Sequence, residues 1–198
     1  ISAFGGVHSR QLKNQLDGTI NIDEIKSAIR MDNDHFPKTS AITLENTHNL
    51  CNGSPLSPDY IKDVAQISRD NDMKLHIDGA RIFNAAVALN IDVNELVKDA
   101  DSITFCLSKG LAAPIGSIIC GGEKFIYHAR RIRKALGGGM RQAGIIASAG
   151  MYSLDNMLDQ IQEDHKNNTR LAEGINEIEG LSIDSESIKS NILYFDIK

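Results

Sequence analysis

The sequence predicts an α/β fold built on a mainly parallel sheet. Short runs of β-branched and aromatic residues alternate with amphipathic helical segments, a pattern typical of parallel strands that are joined by helical crossovers and covered on both faces. Two predicted strands, Met73–Ile77 and Ser102–Leu107, are followed closely by a charged residue and a glycine-containing loop. Because ligands of open α/β sheets bind at the carboxyl ends of the strands, we expect this edge to carry the functional site.

Helix start signals organise the first part of the chain. Asn21, followed three residues later by a glutamate, resembles a capping box, and a serine followed by proline at Ser57 is typical of a helix N-terminus. The predicted elements before Met73 are a short strand near Gly6–Leu12, a helix from Asn21 to about Arg30, a strand over Ala41–Leu44 and a helix from Ser57 to about Asp70.

Helices dominate the second part. We expect helices at Ile82–Leu89, near Asn94–Lys98, and over Glu123–Leu136, Ala143–Met157 and Leu158–Ile178, with strands at Ser117–Cys120 and Ile192–Ile197. We assign residues 1–157 to a large domain, and residues 158–198 to a linker helix and the beginning of a small C-terminal α/β domain. The chain starts with Ile and stops after an apparent strand, so we expect a fragment of a longer polypeptide.

Composition excludes several classes of protein. With 198 residues, 41% of them hydrophobic, the chain can form one sizeable core. A net charge of −5 argues against nucleic acid as a partner, and no apolar run approaches the roughly 18 residues of a membrane span. Three cysteines without a CxxC spacing predict reduced thiols and no metal site. We therefore expect a cytoplasmic protein.

The two charged strand tips carry Asp78 and Lys109. Taken singly, each residue is more simply explained as part of a salt bridge or as a solvated loop residue. Together they meet the needs of pyridoxal phosphate, whose aldehyde bonds to a lysine amine and whose ring nitrogen is kept protonated by a carboxylate. The helical segments between the two tips have the length that a crossover between parallel strands requires.

Three longer motifs extend this pattern. They are HIDGARIFNA at His76–Ala85, CLSKGLAAPIGS at Cys106–Ser117 and RKALGGGMRQAG at Arg133–Gly144, with LENTHN at Leu44–Asn49 as a fourth. In this order they resemble the low-specificity L-threonine aldolases. That resemblance implies the aspartate-aminotransferase fold (fold type I), a cofactor-binding large domain, pyridoxal phosphate, and cleavage of L-threonine or L-allo-threonine to glycine and acetaldehyde.

The same resemblance implies roles for individual residues. Lys109 would bond to the cofactor, Asp78 would contact its ring nitrogen and Ser108 its phosphate. Arg81 would bind the substrate carboxylate with its bidentate guanidinium, although a salt bridge to Asp78 is the alternative. Lys134 would approach the substrate at a subunit interface, in a homodimer or homotetramer.

Two histidines compete for the role of catalytic base. His35 matches a family histidine near the substrate side chain, and it would remove the β-hydroxyl proton directly or through a water. His48, at another strand tip, is the competing candidate, and a plain surface role is the alternative for a loop histidine such as His35.

Part of the family pattern is missing from this sequence. Neither the glycine–threonine phosphate loop, nor the ring stacked on the cofactor, nor the C-terminal arginine for the substrate carboxylate is found in it. We therefore expect these residues alone to bind the cofactor poorly. β-Elimination or transamination on the same scaffold, or an inactive remnant, are the alternative functions.

Overall fold

The computed structural model describes residues 1–198, which form eight α-helices and six strands. The helices are α1 (Ser2–Gly5), α2 (Ile22–Ala28), α3 (Pro58–Asp70), α4 (Ile82–Leu89), α5 (Val93–Val97), α6 (Glu123–Ala135), α7 (Gly144–Asn156) and α8 (Leu158–Asn176). The strands are β1 (Ala41–Glu45), β2 (Lys74–Asp78), β3 (Ser102–Cys106), β4 (Ser117–Gly121), β5 (Leu181–Ser182) and β6 (Asp196–Ile197). No helix is long and apolar enough to cross a membrane.

The main sheet has the strand order β1-β2-β3-β4. β1, β2 and β3 are parallel, and β4 runs antiparallel to β3. The predicted α/β fold with a mainly parallel sheet is therefore confirmed. The carboxyl ends of the three parallel strands lie side by side, with Glu45 opposite Asp78 and Asp78 opposite Thr104.

Helices cover one face of this sheet. Side chains of α3, α4 and α5 pack against that face in a single core that includes Leu44, Leu75, Ile77, Ile103, Ile61, Val64, Ile82 and Leu96. The opposite face carries Thr43, His76, Asp78 and Thr104, which are exposed or half-buried. The expectation of helices on both faces is thus wrong for these residues. Successive right-handed crossovers that advance in the same direction place their helices on one face.

The C-terminal part packs against the loop that follows β3. Helix α8 contacts α4, and Ile161 of α8 forms a second apolar cluster with Leu107, Leu111 and Ala113. The chain after α8 returns to the loop between β1 and α3, where the Ser190 hydroxyl donates to the Gly53 carbonyl oxygen at 2.7 Å. The division into domains at residue 157 stays a prediction.

Of the two strands predicted near the ends of the chain, the first is wrong and the second is present only in part. The region near Gly6–Leu12 contains no strand, and α1 precedes it. The strand predicted over Ile192–Ile197 is reduced to β6, which pairs with β5 in a separate two-stranded sheet.

Candidate active site

Backbone hydrogen bonds join the ends of the three parallel strands. The Asn46 N–H donates to the Asp78 carbonyl oxygen, and the Gly79 N–H donates to the Thr104 carbonyl oxygen, both at 2.8 Å. Glu45 and Asp78 are register partners, so their carboxylates extend from the same, uncovered face of the sheet. This edge therefore has two neighbouring carboxylates at its centre.

Asp78 is exposed at the end of β2. Its Oδ1 accepts a hydrogen bond from the Ala80 N–H at 3.2 Å, which turns the chain towards α4. None of the six ion pairs in the structure includes Asp78, Arg81 or Lys109. The alternative explanations by a salt bridge, from Asp78 to Lys109 or to Arg81, are therefore not observed.

Lys109 lies in the loop that directly follows β3, the strand next to β2. The Leu107 N–H donates to the Gly116 carbonyl oxygen at 2.9 Å and the Ala113 N–H donates to the Leu107 carbonyl oxygen at 3.0 Å, so the loop folds back on itself. Ser108 and Lys109 are exposed, while Leu107 is buried. The amine of the lysine is therefore open to solvent, because no other part of the chain covers this side of the loop.

Arg81 directly precedes α4, as its N-cap residue, and is half-buried. Its guanidinium makes no hydrogen bond within the chain, so its five donors are available to a ligand.

The structure separates the two candidate bases. His48 lies just beyond β1, with Nε2 3.5 Å from Glu45 Oε2, and its Nδ1 is buried without a hydrogen-bond partner. His35 lies in the exposed loop between α2 and β1, where it lines a polar crevice with Asp32, Asn33 and Asp34. No hydrogen bond or ion pair joins His35 to a strand-tip residue. His48 therefore belongs to this edge in the structure, and the role of His35 stays a prediction.

Lys134 lies in the last turn of α6 and is exposed. A methyl group at Gly139 would overlap its side chain, so Lys134 lies over the loop of three glycines that follows the helix. It has no hydrogen bond or ion pair with the strand tips. Its approach to the site from another subunit stays a prediction.

Sequence reasoning missed two buried asparagines next to the site. Asn46 is fully buried, and its Oδ1 accepts a hydrogen bond from the Leu56 N–H at 3.1 Å, which fixes the loop after β1. Asn84 is 2% exposed and bonds to His165. The signal for Asn84 was available, because it is the only polar residue of the helical run Ile82–Leu89.

His76 lies on the uncovered face with Asp78, two residues before it in β2. Burial lowers its pKa, and the nearby Asp78 carboxylate opposes that shift in part. Its Nδ1 lies 2.8 Å from Ser102 Oγ. The ring therefore favours the neutral form and joins β2 to β3 beneath the two strand tips.

The arrangement defines a class of protein: an α/β enzyme with an unpaired lysine and an unpaired carboxylate at neighbouring strand tips. The beta-eliminating lyase family matches residues 1–198, and the chain belongs to that family. Low-specificity L-threonine aldolase 1 of Arabidopsis thaliana is 44% identical over 200 residues, which cover 100% of this chain and 56% of the relative. The low specificity L-threonine aldolase of Escherichia coli O157:H7 is 44% identical over 176 residues, covering 89% of this chain and 52% of the relative.

Solved structures agree with this assignment at the level of the fold. Threonine aldolase of Leishmania major superposes with a TM-score of 0.68 at 17% identity, covering 85% of this chain and 50% of that one. The pyridoxal-phosphate-bound C-S lyase of Staphylococcus hominis superposes with a TM-score of 0.60 at 17% identity, covering 93% of this chain and 47% of that one. The predicted fold type I is therefore confirmed. The chain spans about half the length of the curated relatives that it matches.

Proposed function

We propose that the protein containing this chain is a pyridoxal-phosphate-dependent lyase that cleaves L-threonine or L-allo-threonine to glycine and acetaldehyde. One observation carries the proposal: an exposed lysine and an exposed carboxylate follow adjacent parallel strands, and neither is engaged in an ion pair. The curated relatives named low-specificity L-threonine aldolase support the choice of reaction.

The residues at this edge have the chemistry that the ring nitrogen, the aldehyde and the phosphate of the cofactor require. Asp78 would hold the proton on the ring nitrogen, and the Lys109 amine would bond to the aldehyde carbon. Ser108 is the hydroxyl next to that lysine and would donate a hydrogen bond to the phosphate. When bound, pyridoxal phosphate supplies the electron sink that makes cleavage of a bond at the substrate Cα possible.

The remaining groups would orient the substrate and move its protons. Arg81 would bind the substrate carboxylate through two parallel hydrogen bonds, which fixes the orientation of the bonds at Cα. A histidine would take the proton from the β-hydroxyl while the Cα–Cβ bond breaks, so that Cβ leaves as the aldehyde. Cα then takes up a proton, and glycine is released.

The base in this proposal is either His35 or His48, since the sequence does not choose between them. His48 is supported by its place beyond β1 and by its contact with the carboxylate of Glu45, whose Oε2 lies 3.5 Å from Nε2. His35 is supported by the resemblance alone. We expect His48→Asn to lower kcat by about 10²- to 10⁴-fold, the usual contribution of a general base, and by more than His35→Asn does. The opposite order would assign the proton transfer to His35.

Borohydride trapping tests the cofactor lysine. Full-length protein is incubated with pyridoxal phosphate, reduced, digested and analysed by mass spectrometry, with Lys109→Ala and the exposed α3 variant Lys62→Ala as a matched pair. We expect the cofactor on Lys109 in the wild type and in Lys62→Ala, and none on that peptide in Lys109→Ala. Attachment to another lysine in the wild type would contradict the assignment.

Product analysis tests the reaction. Each of the threonine isomers is supplied in turn, and glycine and acetaldehyde are measured together with ammonia and 2-oxo acids. Glycine and acetaldehyde in equal amounts support the aldolase. Because the family is named for β-elimination, ammonia with a 2-oxo acid is the informative contrary result, and it would replace aldol cleavage by elimination.

We also propose the cellular setting. The three cysteines are free, which agrees with a reducing compartment such as the cytoplasm. The reaction would join threonine catabolism to glycine biosynthesis. Large apolar side chains are exposed along β4, α6 and α7, including Ile119, Phe125, Ile132 and Met151, which supports a homodimer or homotetramer.

A further inference from the structure

A buried polar pair lies behind the loop that carries Lys109. Asn84 of α4 is 2% exposed, and its Nδ2 lies 3.1 Å from Nε2 of His165 in α8. Burial lowers the pKa of His165, against the opposing effect of Asp164, so the ring favours the neutral form. In the neutral tautomer that carries its proton on Nδ1, Nε2 accepts the hydrogen bond that the Asn84 amide donates.

The side chain of the same asparagine lies next to the loop. A methyl group built on Gly110, the residue after Lys109, would lie 3.5 Å from Asn84 Oδ1 and 3.8 Å from Ile161 Cγ1. The backbone at Gly110 therefore lies near one polar side chain from α4 and one apolar side chain from α8, with room between them for no more than about a methyl group. His165 follows Ile161 by one helical turn, so α8 both contacts the loop and orients the asparagine beneath it.

The hydrogen bond between Asn84 and His165 fixes the orientation of the asparagine side chain, which an apolar contact would not do. A buried amide without a hydrogen-bond partner is unfavourable, so Asn84 is held in one orientation as long as His165 accepts its hydrogen bond. An apolar side chain in this place would fill the space but would have no such preferred direction. The pair therefore fixes the surface on which the loop lies.

We propose that Asn84 and His165 are positioning residues for Lys109. Asn84, oriented by His165, supports the backbone at Gly110 and thereby keeps the lysine beside the end of β2, where Asp78 lies. The catalytic meaning of this arrangement rests on the proposed function of Lys109. The support of the loop itself is a property of the protein without cofactor, and it can be measured separately.

Hydrogen–deuterium exchange of the full-length protein without cofactor tests the proposal. The reporter peptide covers Leu107–Ala113, whose Ala112 N–H donates to the Lys109 carbonyl oxygen at 2.8 Å. The variants are Asn84→Ala, His165→Leu and His165→Gln, since glutamine can still accept the asparagine hydrogen bond. Asn168→Ala is the matched control, because it removes a hydrogen bond of 3.0 Å from α8 to Ser190.

We expect Asn84→Ala and His165→Leu to speed exchange of this peptide by about five- to tenfold, the effect of losing one buried hydrogen bond. His165→Gln should stay within about twofold of the wild type, and Asn168→Ala should leave the loop unchanged. Equal exchange in the wild type and His165→Leu would overturn the proposal. So would an equal acceleration by Asn168→Ala, because the effect would then be one of general stability. If Asn84→Ala does not fold, the difference in loop exchange between His165→Leu and His165→Gln decides whether the proposal holds.

Trapping and kinetics on the same variants connect the loop to the reaction. We expect kcat to fall about tenfold in His165→Leu, with KM little changed and with recovery in His165→Gln. Faster loop exchange in the variants, with no attachment of cofactor to Lys109 in the wild type, would contradict the proposed function and leave the support of the loop standing. Unchanged exchange of the loop in the variants, with normal attachment of cofactor to Lys109 in the wild type, would contradict the support of the loop and leave the proposed function standing.

Discussion

Replacement of Gly79 by alanine would force apart the strand tips that carry the proposed site. A Cβ at this position would lie 2.9 Å from the Thr104 carbonyl oxygen and 3.0 Å from both Ile103 Cδ1 and Ile82 Cβ. The Thr104 oxygen also accepts the Gly79 N–H at 2.8 Å. It cannot turn away from the methyl group without losing that bond.

The size of the effect follows from these contacts. Inserting one methyl group into a well-packed site costs about 1–3 kcal/mol, and each kcal/mol lowers the thermal midpoint by about 2–4 °C in a domain of this size. We therefore expect Gly79→Ala to melt roughly 2–12 °C below the wild type. Because the displaced tips lead to Asp78 and Lys109, kcat should fall by about tenfold or more.

Gly174→Ala is the matched control for this experiment. Gly174 lies inside α8, and a Cβ there would meet nothing within 4 Å. Alanine in a helix interior is more stable than glycine by about 0.5–1 kcal/mol, so this variant should melt slightly above the wild type. Both variants and the wild type are melted at one protein concentration without cofactor and then assayed with it. A Gly79→Ala variant with the midpoint and kcat of the wild type would refute the reasoning.

Three further predictions concern neighbouring residues. Ala112 has a left-handed φ of 57°, so Ala112→Gly should raise the free energy of unfolding by about 1 kcal/mol in urea titrations. Burial lowers the pKa of His76 from 6.5 in the folded protein, so the contribution of this residue to stability is full above pH 6.5 and is lost as the pH falls through the folded pKa. Replacement of His76 by glutamine should therefore make the decline of the melting temperature in acid shallower. Burial acts to raise the pKa of Asp101, but Lys74, 2.7 Å away, and the Leu75 N–H hold it below 3.8; Asp101→Asn should therefore reduce the stability lost on acidification below about pH 4.

Helices were predictable because their start signals are local. Asn21 Oδ1 accepts the Asp23 N–H at 2.8 Å, and Ser57 Oγ accepts the Tyr60 N–H at 3.2 Å, as the sequence suggested. The strands predicted near the two chain ends were absent or only partly present for the opposite reason. A strand exists only where a partner strand offers hydrogen bonds, and an alternating pattern such as Ile192–Ile197 does not identify that partner.

In the candidate site, too, the residues with a local sequence signal were predicted and those that depend on tertiary packing were not. Asp78 and Lys109 were found because each follows a readable strand at the edge where α/β proteins bind ligands. The pair of Asn84 and His165 was not found, because its members are 81 residues apart and only the packing of α8 on α4 brings them together. The place of His48 beside Glu45 likewise depends on the turn after β1, for which the sequence offers no local rule.

The uncovered face of the sheet connects these observations to function. A lysine amine attacks an aldehyde only in its neutral form, and removal from water favours that form. Lys109 and Asp78 are both exposed in this chain, so under the proposed function their removal from water would come from the groups that cover this face. The cofactor ring would cover Asp78 directly, and in the curated relatives a little under half of each polypeptide lies outside the matched region. These residues would thus provide the reacting groups and their positions, while the environment that activates the amine would be completed by the cofactor and by its other contacts.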